Sequence, residues 1–317
     1  MFRQKTRLSV GEVFGLVSIE AVQQGLRGLR GDPTTPKHIW GLSTLKILQP
    51  VTSIRTWLKI RRPDKRIPIY NYFNRTPVSQ ELGYSIRRTQ AQDFRGGTLT
   101  YDSHQGTDFI IPVCTPVVIA APGVVIRVAR EFDRGGLSIM VLHAHGLVTT
   151  YNHLGRPLVE VGQVVDRGET IALSGASGID FVASFFLSPP HVHFNTWLNG
   201  TTIDPFAADG EVSLWLNGNN PLPHLSTSKK VTHFDVDSLF SKQAVERVIN
   251  DCCDPRLESK LRNISWLPER AANVMYQRNY RPSKFKNFES LYLQEHQRTS
   301  HLDLPFKAED ATGVHFD

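Results

Sequence analysis

Histidines are concentrated in one third of this sequence, and their spacing there suggests a metal site. Six of the twelve histidines fall between residues 104 and 193. In Pro190-His191-Val192-His193-Phe194 two of them occupy alternate positions, and both imidazoles would face one side of a strand, because strand side chains alternate. Taken alone the pair is ambiguous, since two histidines on a solvated strand face give the same pattern.

A second segment offers one imidazole and one carboxylate four residues apart. It reads His104-Gln105-Gly106-Thr107-Asp108, and the glycine before the apolar run 109–111 favours a turn that enters a strand. Two imidazole nitrogens and one carboxylate oxygen, with a fourth position left to water, are the ligand set typical of catalytic zinc. Together the two segments can supply that set.

Another pair of alternating histidines lies in Leu142-His143-Ala144-His145-Gly146. It precedes a glycine turn, and no carboxylate stands at a matching spacing. We therefore expect His143 and His145 to be structural or to line a substrate groove, not to bind the catalytic metal.

All of these residues fall in a stretch of short β-type runs that starts near residue 96. The runs are 109–111, 117–120, 124–126, 137–142 and 147–151. Residues 161–171 predict consecutive hairpins, with glycine at the turns that need a positive φ. The expected fold class is α+β, a mainly antiparallel β domain with flanking helical segments.

Helices are expected on both sides of the β domain. Ser9 and Glu12 have capping-box spacing, and apolar residues follow at helical intervals to about Gly25. Helical spacing also appears over 235–249 and over 269–276. Four parts are thus predicted: a basic, partly helical N-terminal region at 1–95 to which no fold is assigned, the β domain at 96–217, a linker at 218–231 and a mostly helical region at 232–317.

Charge is distributed unevenly along the chain. The net charge is +11 over residues 1–95, which have 17 basic and 6 acidic side chains, against −5 over 96–210 and 0 over 211–317. A basic flank of this kind can dock on an anionic polymer or an envelope surface. The alternative is a solvated basic surface, and no specific nucleic-acid motif is present.

The composition is that of a globular protein, with 40% hydrophobic and 21% charged residues. Three cysteines, two of them adjacent, imply no disulfide framework. We identify no signal peptide, because Glu12 and Glu20 interrupt the apolar stretch that follows the basic start. We expect no transmembrane helix, because no run of about 18 apolar residues occurs.

Read in order, the motifs resemble the lysostaphin-type (LytM-like) zinc endopeptidase family over about residues 96–207. The segments that carry the resemblance are His104-Gln105-Gly106-Thr107-Asp108, Thr115-Pro116-Val117, Ala120-Ala121-Pro122-Gly123-Val124-Val125, Tyr151-Asn152-His153-Leu154, Val161-Gly162-Gln163-Val164, Pro190-His191-Val192-His193-Phe194 and Asp204-Pro205. The family implies a small antiparallel β domain with an open groove, which cleaves peptide bonds in peptidoglycan.

The resemblance also implies roles for individual residues. His104, Asp108 and His193 match the three zinc ligands of the family, so one zinc ion is expected per chain. His191 and His153 match its two other active-site histidines. One of them would accept the proton of the attacking water and the other would stabilise the oxyanion, and spacing alone does not assign the two roles.

The sequence departs from the family pattern at a few positions. Cys114 stands where the family usually has glycine, and residues 179–187 look like an insertion before His191. Phe181 in that insertion is a further candidate for the substrate groove, although packing against the sheet is the ordinary use of such a residue.

Two functions stay open on these grounds. The first is a zinc endopeptidase acting on peptidoglycan or another peptide, and the second is a catalytically inactive LytM-like domain that regulates another cell-wall hydrolase. The family implies the cell envelope or periplasm as the location, whereas no export signal is legible.

Overall fold

A computed structural model of the chain describes residues 7–33, 36–76, 85–86, 91–97, 100–184, 187–225 and 239–316, and it is built around one large antiparallel sheet. In chain order the strands are β1 Ile39–Trp40, β2 Arg66–Pro68, β3 Ser85–Ile86, β4 Thr107–Ile110, β5 Pro116–Val118, β6 Gly123–Glu131, β7 Gly136–Leu142, β8 Leu147–Pro157, β9 Val164–Val165, β10 Thr170–Ser174, β11 His191–Leu198, β12 Thr201–Ile203 and β13 Gly313–His315. The large sheet consists of β4 to β12, whereas β1 pairs with β3, and β2 with β13, in parallel. The predicted α+β class with a mainly antiparallel β domain is confirmed.

The order of the strands brings distant segments of the chain together. Strands β12, β11, β8, β7, β6 and β9 lie side by side, β4 pairs with β11, and β10 pairs with both β5 and β8. Along β11, His193 lies opposite Asp108 of β4 on one side and opposite Asn152 of β8 on the other.

The hairpins predicted over 161–171 are wrong in their pairing, because β9 pairs with β6 and not with β10.

A segment of the N-terminal third runs along the free edge of β4. Tyr70 donates its backbone N–H to the carbonyl of Asp108 at 2.8 Å, and the N–H of Asp108 donates to the carbonyl of Asn71 at 2.9 Å. Asn74 makes a similar bond to the carbonyl of His104 at 2.8 Å. The N-terminal third therefore contacts the strand that carries the candidate ligands.

The sheet separates two hydrophobic cores, which explains why its central strands are buried almost continuously. Ile139 and Val141 of β7 pack in the first core and Met140 in the second, as alternation requires. The first core also contains Ile69 and Leu304, so it includes residues from three of the four predicted parts of the chain.

Helices cover the second core and the N-terminal side of the sheet. They are α1 Val10–Phe14, α2 Ile19–Arg30, α3 Pro50–Trp57, α4 Ile179–Ala183, α5 Lys242–Asn250, α6 Pro255–Arg262 and α7 Leu267–Tyr280, with 3-10 helices at Leu42–Ile47 and Pro282–Lys284. Helices α5, α6 and α7 contribute to the second core. None of the helices described is long and apolar enough to cross a membrane.

The first predicted helix is wrong in its length. Ser9 and Glu12 do form the capping box, but α1 ends at Gly15, whose φ of 75° is left-handed. Ser18 then caps a second helix, α2. A glycine within an apolar helical pattern thus ends the helix here, because it accepts the conformation of a C-cap at little cost.

The C-terminal helical pattern is confirmed in part. Helix α7 contains the predicted stretch 269–276, and α5 begins at Lys242 behind the N-cap Ser241. The beginning of the helix predicted over 235–249, together with residues 226–231 of the predicted linker, lies outside the described residues.

Candidate metal centre

Three predicted ligands converge at the junction of β4 and β11. The Nε2 atom of His104 lies 3.1 Å from Nδ1 of His193 and 3.0 Å from Oδ1 of Asp108, and the last two atoms are 2.7 Å apart. All three side chains are buried. The β4–β11 register accounts for this, because it sets His193 directly opposite Asp108.

Residues of the N-terminal third orient these side chains from behind. His104 donates from Nδ1 to the carbonyl oxygen of Tyr72 at 2.5 Å, which leaves Nε2 free to bind a metal. Asn71 donates from Nδ2 to Oδ2 of Asp108 at 2.8 Å, so Oδ1 points to the centre. Such supporting hydrogen bonds fix the ring tautomer and the carboxylate orientation of metal ligands.

The donor set fits zinc. Ligands about 2.0–2.2 Å from a tetrahedral zinc ion lie about 3.3 Å from one another, close to the separations observed among these three atoms. Gly106 leaves the necessary room, since a Cβ there would come within 2.9 Å of the His193 ring and within 2.7 Å of the Phe194 carbonyl oxygen. His104, Asp108 and His193 could therefore hold one ion.

His191 and His153 stand beside this cluster. Their ring centroids are 4.9 Å apart, and Nε2 of His191 is 3.7 Å from Oδ1 of Asp108. His191 donates from Nδ1 to the Pro189 carbonyl, and His153 donates from Nδ1 to the Ser177 carbonyl, both at 2.8 Å. Each ring therefore keeps Nε2 for another partner.

His153 has an unusual backbone conformation. Its φ of 60° is left-handed although the residue lies within β8, and the pairing of β7 with β8 shifts register between Leu137 and Ile139, beside it. The backbone N–H of His153 donates to the carbonyl of Gly135 at 2.7 Å. Strain of this kind is typical of functional positions, where a bulge re-aims a side chain.

Burial and neighbouring charges set the protonation of the site. Burial lowers the pKa of His191 to about 3 and that of His193 to about 4, so both rings are neutral near pH 7. Burial raises the pKa of Asp108, but the imidazoles of His104, His191 and His193 more than offset this, and the pKa lies well below its usual range. The centre thus offers a neutral nitrogen on His193 and an ionised oxygen on Asp108, which are the forms that bind a cation.

The same part of the chain matches a known family. Residues 102–205 match the family model described as Peptidase family M23. These residues form an M23 peptidase domain. The predicted resemblance to the lysostaphin-type family is thereby confirmed, within the bounds of about 96–207 that the motifs indicated.

Relatives of the M23 domain are found among longer proteins. An uncharacterized metalloprotease of Haemophilus influenzae is 38% identical over 102 residues, which are 32% of this chain and 20% of that protein. The peptidoglycan DD-endopeptidase ShyB of Vibrio cholerae is 35% identical over 168 residues, 51% of this chain and 36% of that protein. The chain therefore spans about a fifth to a third of the length of these relatives. Among solved structures, the catalytic domain of lysostaphin from Staphylococcus simulans is 26% identical, with a TM-score of 0.30 over 43% of this chain and 86% of that domain.

Two cavities that are each lined by both His153 and His193 border the centre of the M23 domain. The first, which we call the apolar cavity, has a volume of about 340 Å³ and reaches His191 and His193 from the side of the predicted insertion. Its apolar walls are Trp40, Leu45, Ile47, Leu48, Ile86, Phe181 and Leu187. The second, the polar cavity, has a volume of about 70 Å³ and is bordered by His38, His104, Arg134, His153, Asp180, His193, Asn279 and Tyr280.

The three groove candidates have different positions. Phe181, on α4, lines the apolar cavity, and its ring lies 5.0 Å from that of His191. His143 is buried away from both cavities, where it bonds the Pro122 carbonyl and the Thr149 hydroxyl, each at 2.8 Å. His145 is exposed and stacks on His301. Neither His143 nor His145 lines the two cavities. Both follow the last residue of β7, Leu142, whereas His153 lies beside the first residues of that strand. Residues 185 and 186 of the insertion lie outside the described residues.

Several residues of the site were missed from the sequence. Tyr70, Asn71 and Tyr72 belong to the N-terminal region, to which the sequence patterns assign no fold. The β-branched and aromatic residues from Ile67 to Phe73 are nevertheless a signal for an extended segment. Tyr70 packs its ring 5.3 Å from that of His191. Arg134 carries no local signal, because its position at the centre depends on how β6 and β7 turn.

Proposed function

We propose that this chain is a zinc-dependent endopeptidase that hydrolyses peptide bonds in peptidoglycan stem peptides or cross-bridges, with His104, Asp108 and His193 as the ligands of one zinc ion. The observation that carries the proposal is the convergence of two imidazole nitrogens and one carboxylate oxygen beside two further imidazoles. The M23 match supports the peptidase class, and relatives named peptidoglycan DD-endopeptidase support the substrate.

Zinc in such a site supplies a Lewis acid that polarises the scissile carbonyl and makes water nucleophilic near neutral pH. His191 then serves as the proton acceptor. Its Nδ1 proton is held by the Pro189 carbonyl, and burial keeps the ring neutral, so Nε2 has a lone pair directed toward the attacking water.

His153 stabilises the negative charge that develops on the carbonyl oxygen. The Ser177 carbonyl can only accept a hydrogen bond, so Nδ1 of His153 is its donor, and the other ring nitrogen, Nε2, is the atom that would donate to the oxyanion. The left-handed backbone of His153 supports this role, because it turns the ring toward His191 and His193.

Metal analysis together with peptide cleavage tests the proposal. We expect about one zinc per chain and cleavage of purified peptidoglycan, and we expect His193→Ala to lose both. His191→Ala should keep the zinc and lose about 10²- to 10⁴-fold in kcat. His224→Ala, a histidine outside the cluster that lies 3.4 Å from Asp303, is the matched control.

Three results would overturn parts of this account. A wild-type chain that contains no zinc would rule out the metalloenzyme. Zinc without cleavage of any peptide would favour the inactive regulatory domain instead, and loss of zinc in His191→Ala would show that the histidine roles are misassigned.

We also propose that the N-terminal region contacts an anionic envelope surface, which agrees with peptidoglycan as substrate and with a location in the envelope. Ile19 and Val22 of α2 are 79% and 51% exposed, on the same helix as Arg27 and Arg30. Apolar and basic side chains on one exposed helix favour binding to anionic lipid or polymer. Cosedimentation with anionic but not with neutral vesicles is expected, and it should weaken in the Arg27→Gln/Arg30→Gln double variant. Equal binding to both kinds of vesicle would contradict the proposal.

A further inference from the structure

A group of buried charges lies behind the polar cavity, and its positive charges exceed its negative ones. Arg281 donates from Nη2 to both carboxylate oxygens of Asp133 at 2.9 Å. Glu131 lies 3.2 Å from Arg127 and 3.5 Å from Arg281. Two guanidinium groups, those of Arg127 and Arg281, thus pair with the two carboxylates. The third, Arg134, forms no ion pair with any carboxylate in the part of the chain that the structure describes.

Among the described residues, Arg134 donates only to neutral acceptors. Its Nε donates to the Tyr280 carbonyl at 3.2 Å and its Nη1 to the Asp133 carbonyl at 2.8 Å. Nη1 also contacts Nε2 of His38, a ring that burial and Arg134 keep neutral by lowering its pKa to about 3. Arg134 is only 4% exposed, and its Nη2 atom is buried with no hydrogen-bond partner in the described part of the chain.

A buried cation whose neighbouring carboxylates are paired with other arginines is costly, and so is a buried N–H without an acceptor. Burial and the nearby Arg281 lower the pKa of Arg134 by more than the charges of Asp133 and Glu131 raise it. An anionic group that enters from outside would remove the cost.

The polar cavity leads from Arg134 to the metal centre. His104, His153 and His193 line it, and Asn279 from the end of α7 contributes a second buried donor, Nδ2, that has no hydrogen-bond partner among the described residues. The carboxylate of Asp180 also lines the cavity. The volume of about 70 Å³ admits a small group rather than a side chain of several carbons. Two convergent donors, one of them charged, match a carboxylate.

We propose that Arg134 and Asn279 bind a carboxylate of the peptide substrate that lies next to the scissile bond. The inference rests on the proposed function, because it takes the scissile bond to lie at the His104–Asp108–His193 centre. The carboxylate can be the terminal one of the residue that follows the scissile bond, or a side-chain one on a neighbouring residue. Both have the same chemistry, and they are distinguished by experiment.

The test uses the full zinc-loaded chain and two pairs of synthetic stem-type peptides. One pair differs in a terminal carboxylate against a terminal carboxamide, and the other in a side-chain carboxylate against its amide. We expect kcat/KM to be about 10- to 100-fold higher for the acid in one of the pairs, as for a charge-assisted hydrogen bond. The pair that responds identifies the source of the carboxylate, and equal rates within both pairs would overturn the proposal.

Substitution separates recognition from folding. Arg134→Gln should abolish the preference for the acid, measured as the ratio of acid to amide rates, whereas Arg134→Lys should restore part of it. Arg130→Gln, which removes an exposed arginine of the same strand region, is the matched control and should keep the preference. If Arg134→Gln does not fold, the comparison of acid with amide in the wild type still decides the question. An acid preference that survives in folded Arg134→Gln would contradict the role of this residue.

Binding gives a readout that does not depend on turnover. Calorimetric titration of zinc-loaded His191→Ala with the same peptides should give tighter binding of the acid by a similar factor. Acid-selective binding without hydrolysis by the wild type would mean that the proposed function fails while carboxylate recognition stands. Hydrolysis with no acid preference in rate or binding would mean the reverse.

Discussion

The two cavities beside the metal centre differ in size and in chemistry. The apolar cavity, of about 340 Å³, is walled by aliphatic and aromatic side chains, whereas the polar cavity, of about 70 Å³, ends at a buried guanidinium. His153 and His193 border both. One centre is thus placed between a site that can select by side-chain volume and a site that can select by charge.

Much of both walls comes from outside residues 102–205, the part that matches the M23 family. Leu45 and Leu48 of the apolar cavity precede the matched part, and Asn279 and Tyr280 of the polar cavity follow it. The candidate ligands His104, Asp108 and His193 all lie inside. We infer that the M23 domain supplies the chemistry and that the flanking regions adjust what reaches it.

Changing the apolar cavity should have the largest effect that leaves the ligands intact. Phe181 is buried against the rings of His153 and His191, at 5.2 Å and 5.0 Å. Phe181→Ala should lower the free energy of unfolding by about 3 kcal/mol, as loss of a buried aromatic does, and lower kcat/KM by roughly tenfold for peptides with a large apolar residue beside the scissile bond.

Two controls make this prediction specific. Phe181→Leu should recover most of the activity, because it refills the cavity with an apolar side chain. The ratio of acid to amide rates should stay constant in both variants, since the polar cavity is unaltered. If that ratio changes as much as the rate does, the two cavities do not act as separate sites.

A smaller effect is expected from pH on the polar side. His38 is buried beside Arg134, Asp133 and Arg281, and burial with the arginines lowers its pKa to about 3. The unfolded chain therefore takes up a proton at His38 below about pH 6.5 while the folded chain does not, so stability is complete above that pH and falls as the pH drops toward 3. Between pH 7 and pH 5 the loss from this residue should be about 2 kcal/mol.

Urea unfolding at pH 7, 6 and 5 measures this effect. The wild type should lose about 2 kcal/mol more than His38→Gln over this range, because glutamine can still accept from Arg134 and does not titrate. Parallel losses in the two proteins would mean that His38 is not held neutral against the guanidinium.

The convergence of the three candidate ligands could be predicted from the sequence because each lies in a short motif at the start of, or within, an expected strand. The pairing of β4 with β11 then needs only a register, and it sets His193 opposite Asp108. The fold class followed from the short β-type runs separated by glycine turns and from the family resemblance. The structure also explains why the family usually has glycine at position 114. Cys114 has a left-handed φ of 71°, a conformation that glycine adopts at little cost.

Other features depend on contacts between distant segments, for which the sequence has no local signal. The hydrogen bonds from Asn71 to Asp108 and from His104 to Tyr72 join residues more than 30 positions apart. The excess positive charge at Arg134 becomes evident only from the structure, in which the neighbouring carboxylate of Asp133 is paired with Arg281. The error in the length of helix α1 has a local cause instead. A glycine such as Gly15 can either continue a helix or form its C-cap, and the sequence does not decide between the two.

Removal and return of the metal test the central claim most directly. The full chain is stripped of metal with a chelator, and cleavage of peptidoglycan is measured before and after zinc is added back, with Asp108→Asn treated in parallel. We predict that stripping abolishes cleavage, that about one equivalent of zinc restores it in the wild type, and that zinc does not restore it in the variant. Cleavage that persists without metal, or that zinc restores equally in Asp108→Asn, would contradict a zinc centre formed by His104, Asp108 and His193.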